Sequence, residues 1–190
     1  VVNLLFAVAI VFATSIIVAS CDNDNDDFPS FPINRPNAVV TVKPSADGSS
    51  FYMQLDDSTL MNATNMKASP YANREVRAFV NYRLLTRPAS IRKFEVYVNW
   101  IDSILTKPMA ASLADVDDPS NFRQDPVDLL REWTVCEDGY LTLHFRTQWA
   151  ANSVPHIVNL APTNNSNPYD LTFYHNAQGV KGGYWSDGVV

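Results

Sequence analysis

The chain is poor in the residues that most often carry chemistry. It holds only three histidines, two cysteines and six glycines in 190 residues. No two of His144, His156 and His175 stand at metal-ligand spacing on one element, so no metal centre is expected, and each reads as a surface or edge residue. No glycine-rich phosphate loop, serine-nucleophile motif or dinucleotide fingerprint occurs. An excess of positive charge is missing too, with 14 Lys and Arg against 20 Asp and Glu. Asp22, Asp24, Asp26 and Asp27 supply four of those acids, and the remainder is close to neutral. A nucleic-acid partner would need a basic face, so that class is set aside. The carboxylate pairs Asp56-Asp57 and Asp117-Asp118 fall in predicted turns, where Asp is favoured for its bonds to the backbone. The expectation is a protein that is not an enzyme and needs no cofactor.

Long apolar runs are also absent, with one exception. Leu4 to Val18 is interrupted only by Thr14 and Ser15. A bilayer-spanning helix needs about 20 apolar residues, so this run fits a signal-peptide core better than a membrane span. No Met opens the chain and no Lys or Arg precedes the run, which reads as a fragment lacking its first few residues. Val18-Ala19-Ser20-Cys21 resembles a lipobox, an aliphatic residue and two small ones ahead of Cys. Small side chains at 19 and 20 let the backbone enter a peptidase cleft in extended form. The Cys21 thiol takes a diacylglyceryl group, and cleavage falls between Ser20 and Cys21. Residues 1–20 are thus a lipoprotein signal peptide, and the mature chain meets the membrane through lipid on Cys21. Cys136 is then the only free thiol, which excludes an internal disulfide. Within Trp133-Thr134-Val135-Cys136 it reads as a small apolar strand residue rather than a nucleophile.

Asp22-Asn23-Asp24-Asn25-Asp26-Asp27 follows Cys21 directly. A calcium loop would need Gly where Asp27 stands and Glu where Ile33 stands, and fails on both. An acidic run behind the lipid-bearing Cys instead resembles a surface-export tag, carried by Asp22, Asp24, Asp26 and Asp27. With Pro29, Pro32 and Pro36, residues 21–37 read as a solvated tether.

Beyond the tether, twelve prolines and period-two alternation predict an all-β protein. Residues 38–109 hold five strand-like tracts. Val76, Ala78, Val80, Tyr82 and Leu84 share one parity. Phe94 to Asn99 alternates likewise, and Trp100 to Leu105 extends it through a bulge. Five such strands suit a small closed barrel. Residues 110–124 lose the alternation and read as a linker. Residues 125–190 resume it in Leu130 to Cys136 and Tyr140 to Thr147, joined by the turn Glu137-Asp138-Gly139. Val154 to Leu160 and Asp170 to His175 add two strands, and a last one begins near Gly188. That is the pattern of an antiparallel β-sandwich, incomplete at its C-terminal end.

The lipobox, Phe51-Tyr52-Met53-Gln54-Leu55-Asp56-Asp57, Val80-Asn81-Tyr82 and Val98 to Lys107 are similar to tracts of the NigD-like lipoproteins of Bacteroidota. So are Asp125-Pro126-Val127, Gly139-Tyr140-Leu141 and Phe173 to Ala177. The resemblance implies an OB-like barrel followed by a β-sandwich, and one further strand after Val190. It implies an outer-membrane lipoprotein facing the cell exterior, with a binding or protective role of the bacteriocin-immunity kind, and it assigns no functional residue. A glycan-binding module and a structural envelope component are the alternatives, the partner being a protein or a glycan. Trp149, Tyr184 and Trp185 fall in or near predicted loops, where exposed rings could stack on sugars. Asp57-Ser58-Thr59 and Asp102-Ser103-Ile104 resemble the short O-glycosylation sequon of that phylum.

Overall fold

A computed structural model describes residues 31–85, 92–113, 116, 118–150, 154–163 and 167–190. The signal sequence, Ser20, Cys21 and the acidic residues Asp22, Asp24, Asp26 and Asp27 lie outside the described residues, as do Asp115 and Asp117.

Five strands close the first unit: β1 (Ala38–Pro44), β2 (Phe51–Gln54), β3 (Leu60–Ala63), β4 (Val76–Leu84) and β5 (Lys93–Ser103). Their order round the barrel is β1-β2-β3-β5-β4, with only the β3–β5 pair parallel. Closure leaves no sheet edge to protect. Alternation along each strand delivers the core. Val40, Val42, Met53, Met61, Ala78, Val80 and Val96 are all fully buried. Burying a side chain of this kind is worth about 1.5–3 kcal/mol. A one-residue slip of any strand would turn its share outward, which pins the register. The bulge anticipated in β5 is present: Tyr82 faces Val98 while Asn81 faces Trp100, so Asn99 is the extra residue. Its amide donates to Asn81 Oδ1 at 2.7 Å.

The proline-containing stretch ahead of β1 is docked rather than free from Pro32 onward. Asn81 Nδ2 donates to the carbonyls of Pro32 (3.2 Å) and Arg35 (2.6 Å), and Trp100 Nε1 donates to that of Ile33. Asn37 exchanges two bonds with the Tyr82 backbone. This strap satisfies the amide of Asn81, a polar side chain only 1% exposed.

The second unit has two sheets. β6 (Asp128–Glu137), β7 (Tyr140–Trp149) and β10 (Tyr184–Val189) form one in the order β10-β7-β6; β8 (Ile157–Pro162) and β9 (Leu171–Asn176) form the other. The β6–β7 turn has positive φ at Asp138 (53°) and Gly139 (78°), the conformation that fits a tight hairpin. Phe145 on β7 meets Phe173 on β9 at 5.5 Å and joins the sheets. β10 begins four residues earlier than the sequence indicates, because Lys181-Gly182-Gly183 reads as loop and hides the strand behind it.

The expected linker is likewise built into the fold. The Ala110 amide donates to Leu160 on β8, and Gln124 makes a parallel bridge to His175 on β9. Between them a 3-10 turn, Pro119–Asn121, is capped by Asp118 and accepts from the Asn159 and Asn176 side chains. The connection thus lines both edges of the two-stranded sheet.

Candidate functional site

Polar chemistry concentrates in two places, the seam between the units and one end of the sandwich. The seam lies on the outward parity of β4, where Arg77 is buried and Phe79 half-buried. Arg77 is 2% exposed and donates from Nε to Thr142 Oγ1 (3.2 Å) and from Nη1 to Thr41 Oγ1 (3.1 Å). Its Nη2 has no hydrogen bond and reaches Glu137 Oε2 only at 3.8 Å. Burial pushes the Arg77 guanidinium below its usual range, opposed by the charges of Glu137 and Asp138. Around it Lys43 Nζ meets Asp138 Oδ1 at 2.7 Å, and that hydrogen bond raises the lysine above its ordinary value. The Asp138 amide donates to Asp57, and Tyr140 Oη donates to Glu75. Apolar packing completes the joint. The β6 ladder shifts between Leu130 and Val135, Trp133 takes φ 63°, and its ring stands edge-on to Phe79 at 5.6 Å. A tryptophan in the left-handed region is strained, and the bulge that holds it aims the ring at the barrel.

At the other end of the sandwich the expected loop aromatics sit on strands. Trp149 ends β7, and Tyr184 and Trp185 begin β10, with Tyr184 directly opposite Trp149. Successive strand residues point to opposite faces, so Tyr184 and Trp185 diverge. The Trp149 ring is covered by His156, stacked at 4.3 Å and 14°. The three rings therefore make no common platform, although Tyr184 and Trp185 are 61% and 56% exposed.

The histidines differ most from expectation. His175 is 1% and His144 7% exposed, because each is covered by a segment remote in sequence. His144 sits beneath the β6 bulge, bonded to the Glu132 carbonyl and to Asp187. His175 Nδ1 lies 3.2 Å from the Asp125 carbonyl and its Nε2 lies 2.9 Å from His156 Nδ1. A carbonyl can only accept, so His175 donates from Nδ1, and the neutral form of the ring accepts at Nε2. His156 must then donate from Nδ1, which leaves its Nε2 as a bare, buried lone pair without a partner. Burial first, then His175, pushes His156 below its ordinary value, with Asp125 opposing. Two imidazoles do not make a metal centre, and no group of three metal-binding side chains occurs among the described residues. Cys136, expected to act as a small apolar residue, is exposed near the hairpin end of β6. Ser58 and Ser103, the middle residues of the two sequon-like tracts, are also exposed.

A closed five-stranded barrel wired through a buried arginine to a two-sheet sandwich defines a two-domain all-β protein. Residues 39–104 match the NigD-like N-terminal OB domain and residues 111–190 the NigD-like C-terminal beta sandwich domain. The chain belongs to the NigD-like family. Among solved structures it is similar to a protein from Parabacteroides distasonis described as toxin-related, at 30% identity over 80% of this chain and 74% of that one, TM-score 0.61. A NigD-like immunity protein from Bacteroides caccae shares its fold at 20% identity over 80% and 73% of the two chains, TM-score 0.58. A protein of unknown function from Bacteroides vulgatus does so at 19% identity over 80% and 72%, TM-score 0.55. No curated protein matches the chain.

Proposed function

We propose that the protein is a lipid-anchored, surface-exposed outer-membrane protein that acts by binding, in a protective role of the bacteriocin-immunity kind, and that it carries no catalytic activity. The observation behind this reading is where the charged groups are spent. Arg77, Lys43, Asp57, Glu75, Glu137 and Asp138 hold the two domains to each other. Such a seam supplies a fixed surface, which serves recognition better than reaction. Family membership and the immunity protein among the similar folds lend support. The anchor rests on Val18-Ala19-Ser20-Cys21 and the outward address on the acidic run behind it. A glycan-binding role is the weaker reading, since Tyr184 and Trp185 point to opposite faces and His156 covers Trp149.

The test is a deletion strain challenged with bacteriocins of related strains, complemented by the wild type, by Cys21→Ala and by a variant with the four tether aspartates changed to Ala. Sensitivity restored to wild-type levels only by the anchored protein supports the reading. Equal survival with and without the gene sinks it. Protease treatment of intact cells then reports the membrane face, because exported domains are digested and the aspartate-free variant is spared.

A further inference from the structure

The histidine pair at the Trp149 end of the sandwich ties together four segments that lie apart in sequence. His156 leads into β8, and the register Ile157↔Asn176, Val158↔His175 makes it the diagonal neighbour of His175 on one face of the two-stranded sheet. β7 contributes Trp149, stacked on the His156 ring. The connection contributes its backbone on both sides of Gln124. The Arg123 carbonyl accepts from the His175 amide at 2.8 Å, and the Asp125 amide donates to the His175 carbonyl at 2.9 Å. His175 is thus fixed through its main chain and its ring alike. The His156 ring is held only by the stack and by the bond from Nδ1 to His175 Nε2, among the described residues.

A proton added to this bonded pair has one open lone pair to take. Both His175 nitrogens are committed, and His156 Nδ1 carries the hydrogen of the shared bond, so the proton goes to His156 Nε2. That atom is buried and has no acceptor among the described residues. The groups facing it do not supply one. Asp125 turns Oδ2 to the Ala177 amide at 2.8 Å and to Arg123 at 3.7 Å, β7 brings Trp149, and β10 brings Tyr184 opposite that ring. His144 differs, with the Glu132 carbonyl at one ring nitrogen and Asp187 at the other. The Trp149 face attracts a cation, but a charged N–H buried without an acceptor loses more than that contact returns. From a ring that can take a proton and cannot place it, we infer a proton-operated latch in the sandwich. Neutral His156 pins the entrance of β8 to β9 and to the connection; protonated His156 swings out to water, uncovers Trp149 and loosens the first residues of β8. His175 stays behind, held by its main chain. Burial first, then His175, keeps the closed form's proton affinity at His156 below the ordinary 6.5. The latch is therefore shut above that pH and opens as pH falls below it. The inference stands apart from the immunity reading and does not depend on it.

Amide hydrogen exchange, read by mass spectrometry at pH 7.5 and pH 5.5, tests the latch in the protein from residue 21 onward carrying Cys21→Ser. Each rate is normalised to that of the unfolded chain at the same pH. Exchange across Ile157 to Leu160 of β8 should rise several-fold on acidification, about tenfold being the ceiling for uptake of one proton by a histidine of ordinary affinity. Barrel strands β1 and β4 should keep their normalised rates. His156→Gln keeps a donor towards His175, and His156→Phe keeps a ring over Trp149; neither side chain titrates. In both variants the acid response of β8 should vanish, whatever their rate at neutral pH. An unchanged rate across Ile157 to Leu160 in the wild type overturns the proposal. Equal acceleration in the barrel strands does so too, because acid then softens the whole chain. Survival of the response in either folded variant also overturns it, since the proton then acts elsewhere, at His144 for example.

Discussion

Arg77 offers the sharpest test of how the two domains are held. Replacing it by Ala removes two hydrogen bonds donated by a cation and opens a void in a packed seam. Bonds to charged groups are worth about 1.5–3 kcal/mol each, but the desolvation of the guanidinium offsets a large part of that sum. Glu137, its only ionic partner among the described residues, is 34% exposed and 3.8 Å away, so losing Arg77 leaves that carboxylate wet rather than stranded. With the void included, Arg77→Ala should cost about 3 kcal/mol. Arg77→Met keeps most of the volume and dispenses with the buried charge, and should cost about 1 kcal/mol or less. Urea unfolding of the three proteins, fitted with a common slope, decides the matter. If the Met variant is damaged as severely as the Ala variant, the charge and not the packing carries the seam, and the reasoning fails.

Acid should weaken the sandwich through His156. Its folded-state proton affinity is depressed, so the unfolded chain binds the proton more readily; the histidine's stabilising contribution is complete above its ordinary value of 6.5 and is lost as pH falls below it. His156→Phe, which keeps a ring over Trp149, should flatten the urea midpoint between neutral pH and pH 5. Gly188→Ala should lower stability by about 1–3 kcal/mol, because its new Cβ would lie 2.5 Å from Cζ of Phe145; thermal melts with Ser186→Ala as control report it. Trp185→Ala should stay within about 0.5 kcal/mol of wild type, whereas Trp149→Ala, which loses the His156 stack and the indole bond to Ser186, should cost about 2 kcal/mol or more. Near-equal losses at the two tryptophans in chemical denaturation would contradict this placement.

The elements legible in the sequence are those governed by one local rule. Alternation in Val76 to Leu84 marks the face of β4 that enters the barrel core, and the break at Asn99 marks the bulge. Asp138-Gly139 announces the hairpin by its own backbone preference. What stayed hidden needed a second covering from far along the chain. Arg77 and Thr142 have the parity of surface residues, and each is buried only because the other domain lies on top. His156 and His175 stand 19 residues apart and meet because their neighbours pair across β8 and β9. Tyr184 and Trp185 sit behind two glycines, so their strand could not be told from a loop. A lone arginine amid Val76, Ala78 and Val80 was the one signal of the seam available.

The strap from Pro32 to Asn37 has a mechanical meaning. By its bonds to Asn81, Tyr82 and Trp100 it moves the point of attachment from the first strand to the flank of β4 and β5. On the proposed anchor at Cys21, ten residues separate the lipid-bearing Cys from Pro32 in sequence. At about 3.3–3.6 Å per residue, a fully extended leash of that length reaches roughly 35 Å, about one domain diameter. Tension along the tether then reaches the folded chain first at the strap and passes through Asn81 and Trp100 into a closed barrel.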